Sequence, residues 1–505
     1  MKIMYFLAHP YSIGGATKVL IVQAFLSKQS GNEVKLVIQN DEHNYHTHGL
    51  DLLCEQYGLE YTSERYTIAT CLEEVDIKMA YECYERVYKL VEEFNPDLLH
   101  SIQLNTVVEM VSRKLHIPHL MNVYPVLKET FNIPWEDIWP QFHSCDSLYY
   151  SQVWAQGLNV ESKCIRVAYP TPKMKTKCKH NIHKLICVAS FFEYKQQMRI
   201  IEFVQYLKEK GNDITISFVG YDDTLYGNLC KSYVRENGLE QNVEFIGEVI
   251  SVEPYLQEAD LMIHVSKCES YPGVLVEAMA NGVPVMIKAV AGIPELIKDG
   301  ENGYLIYDDS IEGLYSVFLR VLDDWKEDGL ETVISKEYET FLVNHTFSTV
   351  QSSLEDYYKR IYTCERNKDE FLYNIYDKIC DDVKKHSLFT QSRVWYLYNL
   401  KKQILKNKIC KCMIWGAGSN AVIAKEWCDY LELKCCGFID VKKRGAIMGY
   451  RIYAPEDKII EQGGFIIVSV YDLEARKNIM RELERTGHVR NVNYILMFND
   501  PCLTL

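Results

Sequence analysis

Short apolar runs alternate with helical patterns along most of this chain, and this alternation constrains the fold more than any other feature. The run at 2–8 leads into a turn that contains Gly14 and Gly15, a helical pattern follows, and 34–38 predicts a second strand. A strand, a turn, a helix and a strand in this order are typical of a parallel α/β unit. The sequence therefore predicts doubly wound α/β sheets.

The alternation recurs in two successive series, which we interpret as two tandem Rossmann-like domains. In the first series, further strands are expected at 97–100, 120–124, 147–150 and 164–167. In the second series, strands are expected at 184–188, 214–219, 243–246, 261–265 and 283–288. Ligands on doubly wound sheets bind at the carboxyl ends of the strands, so two facing sheets predict a cleft between the domains.

The length and the local composition predict how the chain divides into domains. A chain of 505 residues suggests about three domains at roughly 150 residues each. A stretch rich in Lys and Pro, 170–180, predicts the first linker. We expect a first domain at 1–178, a second at 179–362, a helical connector at 363–404 and a smaller Rossmann-like domain at 405–505.

The composition excludes several classes of protein. The chain is 48% hydrophobic and 25% charged, which is typical of a globular protein rather than a disordered one. Its net charge of -14 argues against nucleic acid as the main partner, because nucleic acids are bound through Lys and Arg. The 17 Cys lack a disulfide-framework spacing, and no apolar run approaches the ~20 residues of a membrane span. We therefore expect a cytoplasmic protein and leave peripheral membrane contact open.

The segment 266–280 carries the strongest chemical signal. It follows a predicted buried strand and begins a helix, and Glu269 and Glu277 within it are separated by seven residues. Gly273 follows Pro272 and lets the backbone approach a ligand closely. The amides at a helix N-terminus suit a phosphate, and a carboxylate such as that of Glu277 can accept hydrogen bonds from sugar hydroxyls. This pattern predicts a site for a phosphorylated sugar or nucleotide.

The segment resembles the nucleotide-sugar site of retaining glycosyltransferases of family four (glycosyl transferases group 1), which have the GT-B fold. The stretches 281–285, 292–297 and 300–305 resemble the "NGxPV", "GxPELI" and "GxNGxL" segments of that family. Upstream strands, the glycine pair near the N-terminus and the final helical stretch match in the same order, at 218–220, 243–247, 14–15 and 347–362. The resemblance covers about residues 1–362 and is closest over 184–306.

The resemblance implies a role for each matching residue. It makes Glu277 the ligand of the nucleotide ribose, Glu269 a catalytic group beside the transferred sugar or the phosphates, and Lys195 the cation that neutralises the diphosphate. It also implies binding roles for the backbone of Gly273, Val274 and Leu275 at the diphosphate, Gly247 and Val249 at the base, and Gly14 and Gly15 at the phosphates and acceptor.

The resemblance implies transfer of a hexosyl or N-acetylhexosaminyl group without a cofactor. The donor is expected to be linked to UDP or GDP, and the acceptor to be a glycan, a lipid or a protein. No metal is expected, because a Lys and helix-end dipoles can stabilise a departing diphosphate. His43, His46 and His48 have a spacing that a metal could use, but we interpret them as a polar loop.

Two departures from the family pattern affect the functional interpretation. Ser190 stands where the family usually has an Arg, so half of its cationic clamp is missing unless Arg199 or another base substitutes. Tyr124 stands at or near a family His, for which His100 and His119 are nearby alternatives. These departures keep an alternative open, in which the chain is a non-catalytic GT-B subunit that binds a sugar or a partner.

The last hundred residues carry a separate signal. Gly416 and Gly418 form a G-x-G-x-x-A pattern between a predicted strand and helix, and Asp440 ends the next strand. This is the dinucleotide-binding fingerprint with its ribose-binding acid. The stretch 445–452 resembles small sugar-nucleotide-binding Rossmann units attached to bacterial sugar-modifying enzymes. We predict a nucleotide or nucleotide-sugar site; the alternative is a degenerate Rossmann unit for docking or homo-oligomerisation.

Four cysteines in the same unit allow two interpretations. Cys410 and Cys412 precede the fingerprint, and Cys435 and Cys436 lie on the following strand. They suggest a zinc site, but the second pair is directly adjacent on a strand that looks buried. We therefore favour core packing for these thiols.

Overall fold

The structure is a computed structural model, and it describes residues 1–7, 14–39, 48–66, 77–102, 106–124, 140–158, 161–172, 182–327, 329–364, 400, 404, 407–457, 464–470, 472–489 and 492–497. These residues form three sheets flanked by helices, which confirms the predicted α/β fold class. The first two sheets belong to one compact unit and the third to another. Within the described part of the chain, no helix is long and apolar enough to cross a membrane.

The first sheet is parallel throughout, and with its helices it is called the first lobe. Its 7 strands are ordered β3-β2-β1-β4-β5-β6-β7. Their bounds are β1 Lys2–Leu7, β2 Glu33–Gln39, β3 Tyr61–Glu64, β4 Leu98–Ile102, β5 His119–Asn122, β6 Phe142–Cys145 and β7 Glu161–Cys164. The helices are α1 Gly15–Gln29, α2 His48–Gln56, α3 Ile77–Phe94, α4 Thr106–Leu115 and α5 Leu148–Leu158. Helices on both faces bury the central strand, so β1 is a continuous apolar run.

The strand expected at 147–150 is wrong. The strand in this region is β6, which ends at Cys145, and α5 begins at Leu148. Ser147 lies between the two elements, and its Oγ accepts a hydrogen bond from the Tyr150 amide at 3.2 Å. A serine that bonds the amide three residues on is a helix N-cap, and this local bond decides for helix in an apolar, aromatic stretch that also suits a strand.

The second sheet is also parallel, and with its helices it is called the second lobe. Its 6 strands are ordered β10-β9-β8-β11-β12-β13. They are β8 Lys184–Val188, β9 Thr215–Val219, β10 Val243–Gly247, β11 Leu261–His264, β12 Val285–Lys288 and β13 Tyr304–Ile306. The helices are α6 Gln197–Glu209, α7 Leu225–Glu236, α8 Glu253–Glu258, α9 Gly273–Asn281, α10 Ile293–Leu296, α11 Ile311–Lys326 and α12 Gly329–Asn344. The order reverses between β8 and β11, which makes their carboxyl ends the switch point where ligands bind.

A final helix of the first compact unit, α13 (Phe347–Thr363), packs against the first lobe. The hydroxyl of Tyr358 lies 2.6 Å from that of Tyr5 on β1 and 2.7 Å from Nδ1 of His100 on β4. All three side chains are fully buried. The chain therefore returns to the first sheet after completing the second.

The third sheet forms a smaller Rossmann-like unit. Its 6 strands are ordered β16-β17-β15-β14-β18-β19, and β16 pairs antiparallel with β17 while the other pairs are parallel. The strands are β14 Lys411–Trp415, β15 Lys434–Ile439, β16 Gly445–Ile447, β17 Tyr450–Tyr453, β18 Phe465–Val468 and β19 Tyr494–Leu496. The helices are α14 Ser419–Tyr430 and α15 Leu473–Arg485. Most of the expected connector at 363–404 lies outside the described residues, and the domain boundaries stay predictions.

Candidate functional site

Glu269 is the centre of a charged cluster at the switch point of the second sheet. It lies in the loop between β11 and α9 (residues 265–272, the β11–α9 loop), and only 7% of its surface is exposed. Its carboxylate accepts a hydrogen bond from Nζ of Lys195 and lies 2.7 Å from Nε2 of His264. Burial raises the pKa of this carboxyl, but the Lys195 ammonium and His264 outweigh burial, and the pKa falls to about 2. Glu269 is therefore ionised and held by two partners.

Lys195 supplies the positive charge of the cluster. It ends a short 3₁₀ turn, Glu193–Lys195, that follows β8, the strand beside β11. Burial lowers the pKa of its ammonium, but the Glu269 carboxylate more than offsets burial, and the net shift is upward. The side chain is therefore a cation at the carboxyl ends of two adjacent strands. Its catalytic role stays a prediction.

His264 is a member of the cluster that the sequence analysis missed. It is the last residue of β11, and its side chain is buried. Its Nε2 meets Glu269, while Nδ1 is buried and has no hydrogen-bond partner among the described residues. The available signal was a polar residue at the end of an apolar strand, followed five residues later by the first Glu of the motif.

The start of α9 presents backbone amides beside this cluster. The helix begins at Gly273, directly after Pro272. The amide of Leu275 donates to the Pro272 carbonyl at 3.0 Å, so this predicted phosphate contact is already occupied. Among the described residues we find no acceptor for the amides of Gly273 and Val274. Two amides at the positive end of the helix dipole can therefore take an anion.

Glu277 lies one turn into α9 and faces the first lobe. Its carboxylate forms an ion pair with Nζ of Lys18, one turn into α1, at 3.6 Å. The pair brings together the starts of α1 and α9, and α1 begins at the predicted Gly14–Gly15 pair. A Cβ added at Gly15 would meet no atom within 4 Å, so backbone there is open to a ligand. The structure thus places these glycines and Glu277 on facing elements.

Gly247 and Val249 lie at the far edge of the same set of strand ends. Gly247 ends β10 with φ +82°, and its carbonyl accepts from the Gly220 amide at 2.8 Å. Val249 packs against the apolar cluster that contains Leu275. Both residues therefore border the region that the sequence assigned to the base, and their contact with a ligand stays a prediction.

Tyr124 is the candidate in the first lobe whose position suits the cleft. It follows the carboxyl end of β5, and burial raises the pKa of its hydroxyl well above the ordinary value. His119 begins β5 at the opposite end and contacts Ser101 and Glu109. The alternatives His100 and His119 are thus engaged inside the lobe, and burial lowers the pKa of His100 to about 3.

The residues that bear on the missing Arg have other partners. The carbonyl of Ser190 accepts a hydrogen bond from Nε2 of Gln197 at 2.9 Å. Arg199 forms an ion pair with Glu202, three residues on along α6, at 3.0 Å. Arg199 therefore faces its own helix neighbour, and Lys195 carries the positive charge beside Glu269.

The predicted fingerprint of the third sheet forms a tight turn. Gly416 directly follows β14 with φ +118°, and a Cβ there would lie 2.8 Å from Oγ of Ser469. Gly418 precedes α14, and a Cβ there would meet no atom within 4 Å. The first glycine is thus required by packing, whereas the second leaves open space at the start of a helix.

Asp440 is engaged by backbone of its own unit. Its carboxylate accepts hydrogen bonds from the amide of Ala417 at 3.0 Å and from those of Lys442 and Lys443 at 2.8 Å. Burial raises the pKa of this carboxyl, but the three amides more than compensate and lower it. Asp440 therefore fixes the glycine-rich turn in this structure. Its role as a ribose ligand stays a prediction.

Most of the described cysteines of the third unit pack into its core, whereas Cys410, just before β14, is exposed. Cys412, Cys428 and Cys435 belong to its main hydrophobic cluster, and Sγ of Cys412 lies 3.5 Å from Sγ of Cys428. Across the described residues, no group of three or more His, Cys, Asp or Glu side chains is placed to hold a metal ion. Of the histidine trio, residues 43 and 46 and the side chain of His48 lie outside the described residues.

Residues 173–335 match the family of glycosyl transferases group 1. The fold of the first compact unit is GT-B. Its similarity to Anabaena Alr3699/HepE in complex with UDP and glucose has a TM-score of 0.60, covers 70% of this chain and 99% of that chain, and has 18% identity. Its similarity to the pneumococcal O-GlcNAc transferase GtfA in complex with UDP and GlcNAc has a TM-score of 0.56 at 10% identity, over 72% of this chain and 99% of that chain.

Sequence relatives agree with this assignment. The amylovoran biosynthesis glycosyltransferase AmsK of Erwinia amylovora is 30% identical over 178 residues, which are 33% of this chain and 42% of AmsK. The N-acetyl-alpha-D-glucosaminyl L-malate synthase of Bacillus anthracis is 38% identical over 141 residues, or 28% of this chain and 36% of that enzyme. The matched part spans less than half the length of either relative.

Proposed function

We propose that the chain is a retaining glycosyltransferase that moves a sugar from a nucleotide diphosphate donor to a hydroxyl acceptor without a metal. The observation that carries this proposal is the Lys195–Glu269 pair beside the Gly273 and Val274 amides, at the switch point of a glycosyl transferases group 1 domain. A cation and free amides in one place suit a diphosphate leaving group.

The geometry suggests a role for each charged group of the site. The diphosphate binds at the start of α9, and Lys195 turns from Glu269 to neutralise the charge that develops on the leaving group. His264 then keeps its contact with Glu269, so the carboxylate does not lose both partners. Glu277 exchanges Lys18 for the ribose hydroxyls of the donor. Each step uses a partner that is already within reach.

Retention fits the state of Glu269. A double displacement needs a carboxylate that attacks the sugar, but Glu269 is buried and bound by both Lys195 and His264. Departure of the diphosphate and attack of the acceptor on the same face needs no such nucleophile. Closure of the cleft between the lobes would exclude water and limit hydrolysis of the donor.

The donor and acceptor classes are proposed from the relatives. Alr3699/HepE and GtfA were each solved with UDP, and AmsK is named for the biosynthesis of amylovoran. We propose a UDP- or GDP-linked donor and a glycan, lipid or protein acceptor. A cytoplasmic location, with contact at the inner face of a membrane, stays a prediction.

A panel of UDP-, GDP- and TDP-sugars tests the proposal, with nucleotide release and thermal shift as the two measurements. We expect one donor to give both nucleotide release and a thermal shift. We expect Glu277→Gln to lower nucleotide release at least about tenfold, because a ribose hydrogen bond to a charged group is lost. Glu301→Gln, an exposed residue of the same lobe, is the matched control. Unchanged turnover in Glu277→Gln would show that the site assignment is wrong.

A second candidate function is a GT-B subunit that binds without transferring. Ser190 in place of the usual Arg favours it, because the diphosphate then has one cation fewer. In this case a nucleotide sugar would raise the melting temperature, but no nucleotide would be released with any acceptor. The same panel therefore separates the two functions.

A further inference from the structure

The hydroxyl of Ser270 is surrounded by three consecutive residues of the first lobe. Ser270 directly follows Glu269 in the β11–α9 loop, and its Oγ donates a hydrogen bond to the carboxylate of Asp146. Oγ of Ser147 lies 3.3 Å from the same hydroxyl, and Sγ of Cys145 lies 3.6 Å from it. The loop that carries Glu269 is thus held from across the cleft.

Gly292 allows this contact to be close. A Cβ at this position would lie 2.5 Å from Cβ of Ser147 and 2.5 Å from the carbonyl oxygen of Ser270. Real side chains essentially never approach backbone so closely, so any residue other than glycine would push the lobes apart here. The packing is therefore built around the Ser147–Ser270 contact.

Glu295 makes a second contact across the lobes. Its carboxylate accepts hydrogen bonds from the first two amides of α5, those of Leu148 at 2.9 Å and Tyr149 at 2.5 Å. A negative charge at a helix N-terminus is favourable. Arg166, at 3.0 Å from Glu295, also stacks over the ring of Tyr271 at 4.7 Å. Glu295 and Tyr271, both of the second lobe, are therefore fixed against the first lobe.

Asp146 is an unusual residue at such an interface. It is 5% exposed, and the contacts of its carboxylate are with the hydroxyl of Ser270 and the thiol of Cys145, at 3.5 Å. Arg166 donates to the backbone carbonyl of Asp146 at 3.0 Å. A buried carboxylate is costly unless it is well paired, so its placement against Ser270 calls for a function.

We propose that Asp146 is a positioning residue, which fixes the β11–α9 loop for sugar transfer by accepting the Ser270 hydrogen bond when the lobes are together. This inference rests on the proposed function. Ser270 lies between Glu269 and the start of α9, so a displaced loop moves both the charged cluster and the amides that meet the diphosphate. Displacement of about 1 Å can lower a rate on the order of a hundredfold.

The ionisation of Asp146 makes the contact sensitive to pH. Burial raises the pKa of its carboxyl to about 7, although Ser270 and Cys145 act in the opposite direction. The other titratable or charged side chains that face it are Tyr124, Cys145, Cys164, Arg166 and Tyr271. The pKa values of these thiols and phenols are raised and that of Arg166 stays high, so Asp146 is the group of this set that changes charge near neutral pH.

Four single variants of the full chain, together with the double variant Asp146→Ala/Ser270→Ala, test the proposal. Asp146→Ala and Ser270→Ala each remove one side of the hydrogen bond, and Asp146→Asn keeps an acceptor oxygen without the charge. Ser162→Ala is the matched control, because it removes a hydroxyl contact of the first lobe, to Ser151 at 3.1 Å, away from the loop. The measurements are kcat against pH with the active donor, and amide hydrogen exchange of residues 266–275 without donor.

We expect Asp146→Ala and Ser270→Ala each to lower kcat about ten- to a hundredfold and to speed loop exchange, while Ser162→Ala changes neither. The double variant should be no worse than the worse single one, because both remove the same bond. Asp146→Asn should recover most of kcat, and the wild-type rise in kcat through about pH 7 should be absent, because an ionised carboxylate is the stronger acceptor.

Losses of kcat that add in the double variant would overturn the positioning role. So would hydrogen exchange of the loop in Asp146→Ala equal to that in Ser162→Ala. Failure of the proposed function looks different, because the wild type would then release no nucleotide from any donor of the panel. Loop exchange is measured without donor, so it decides whether Asp146 fixes the loop in that case as well.

Discussion

Glu269 has two partners, and this sets what a change at His264 should do. With His264 gone, Lys195 is the remaining partner of the carboxylate in the cluster, and a diphosphate has to compete with Glu269 for that ammonium. We expect His264→Ala to weaken donor binding about tenfold, the effect of losing one hydrogen bond to a charged group. Calorimetric titration with the nucleotide sugar measures it. His183→Ala, an exposed histidine of the same lobe, should leave binding unchanged.

Glu337 is a buried carboxyl with no hydrogen-bond partner for either oxygen among the described residues. Burial raises its pKa well above the ordinary value and so favours the neutral form, which still carries polar atoms into an apolar core. We expect Glu337→Met, of similar volume, to raise the free energy of unfolding by about 1–2 kcal/mol at pH 8. Glu339→Met on the exposed face of α12 is the control, and denaturant titration is the measurement. A less stable Glu337→Met protein would contradict this prediction and would mean that the carboxyl stabilises the fold.

Asp146 should make stability fall as the pH rises. Its pKa is raised from 3.8 to about 7 on folding, so between these values the unfolded chain loses the proton while the folded chain keeps it. The contribution of Asp146 to the free energy of unfolding is full below about pH 4 and is lost by about pH 7. It is at most about 4 kcal/mol, since one pKa unit corresponds to about 1.4 kcal/mol. Asp146→Asn should lack this decline. Denaturant titrations of both proteins at pH 5 and pH 8 measure it, and parallel pH dependences would contradict it.

At the scale of elements, the start of α9 offers a test in which the protein itself is barely disturbed. A Cβ at Gly273 would meet Val167 Cγ1 at 3.8 Å, an ordinary contact, and the added methyl group would lie beside the amides assigned to the diphosphate. We expect Gly273→Ala to keep or raise the melting temperature while weakening donor binding at least about tenfold. Gly15→Ala, also at a helix start with open space, provides a second probe of the cleft. Full affinity in Gly273→Ala would place the diphosphate elsewhere.

Most strands of the second lobe could be predicted closely from the sequence, for a physical reason. Parallel strands covered on both faces are continuous apolar runs, so β8 and β9 were placed within one residue of their observed bounds. The prediction failed at 147–150. There the Ser147 cap and the Glu295 carboxylate of the second lobe both favour a helix. Apolar pattern does not distinguish strand from helix in so short a stretch.

The candidate site could be predicted only where it is local in sequence. The two glutamates, the glycine and the helix start lie within one segment, so their spacing together with the family resemblance was enough to nominate them. The contacts of Lys18 with Glu277 and of Asp146 with Ser270 join residues far apart in the chain, and they depend on how the lobes pack. His264 was missed because a single histidine in a strand is most often a packed core residue.

At the scale of the whole molecule, the two lobes of the first unit are joined where the chain crosses between them. The Tyr169 amide donates to the His345 carbonyl at 2.9 Å, and Nδ1 of His345 lies 2.8 Å from the Val167 carbonyl. Nε2 of the same histidine meets the hydroxyl of Tyr271 in the β11–α9 loop at 2.8 Å. Burial lowers the pKa of His345 to about 4, so it is neutral near pH 7. The crossing between the lobes and the β11–α9 loop are therefore in direct contact.

The charge of the whole chain is acidic, at -14, yet the proposed ligands carry phosphates. The structure resolves this locally in the first unit, where Lys18, Lys195 and two helix amides converge on the cleft. Such a site can hold one diphosphate without a basic surface, whereas a polyanion would meet repulsion beyond it. We therefore expect nucleotide binding to be limited to discrete sites.

The third unit provides the last test, the number of these sites. We propose a second nucleotide or nucleotide-sugar site at the start of α14, where Gly418 leaves open space and Asp440 holds the turn. Equilibrium binding of the nucleotide sugar to the full chain should then give two sites, of which Gly418→Asp removes one and Glu277→Gln weakens the other. Glu484→Gln, at an exposed position on α15 of the same unit and away from the turn, is the control. A single site that persists in Gly418→Asp would mean that the fingerprint serves the fold of the unit alone.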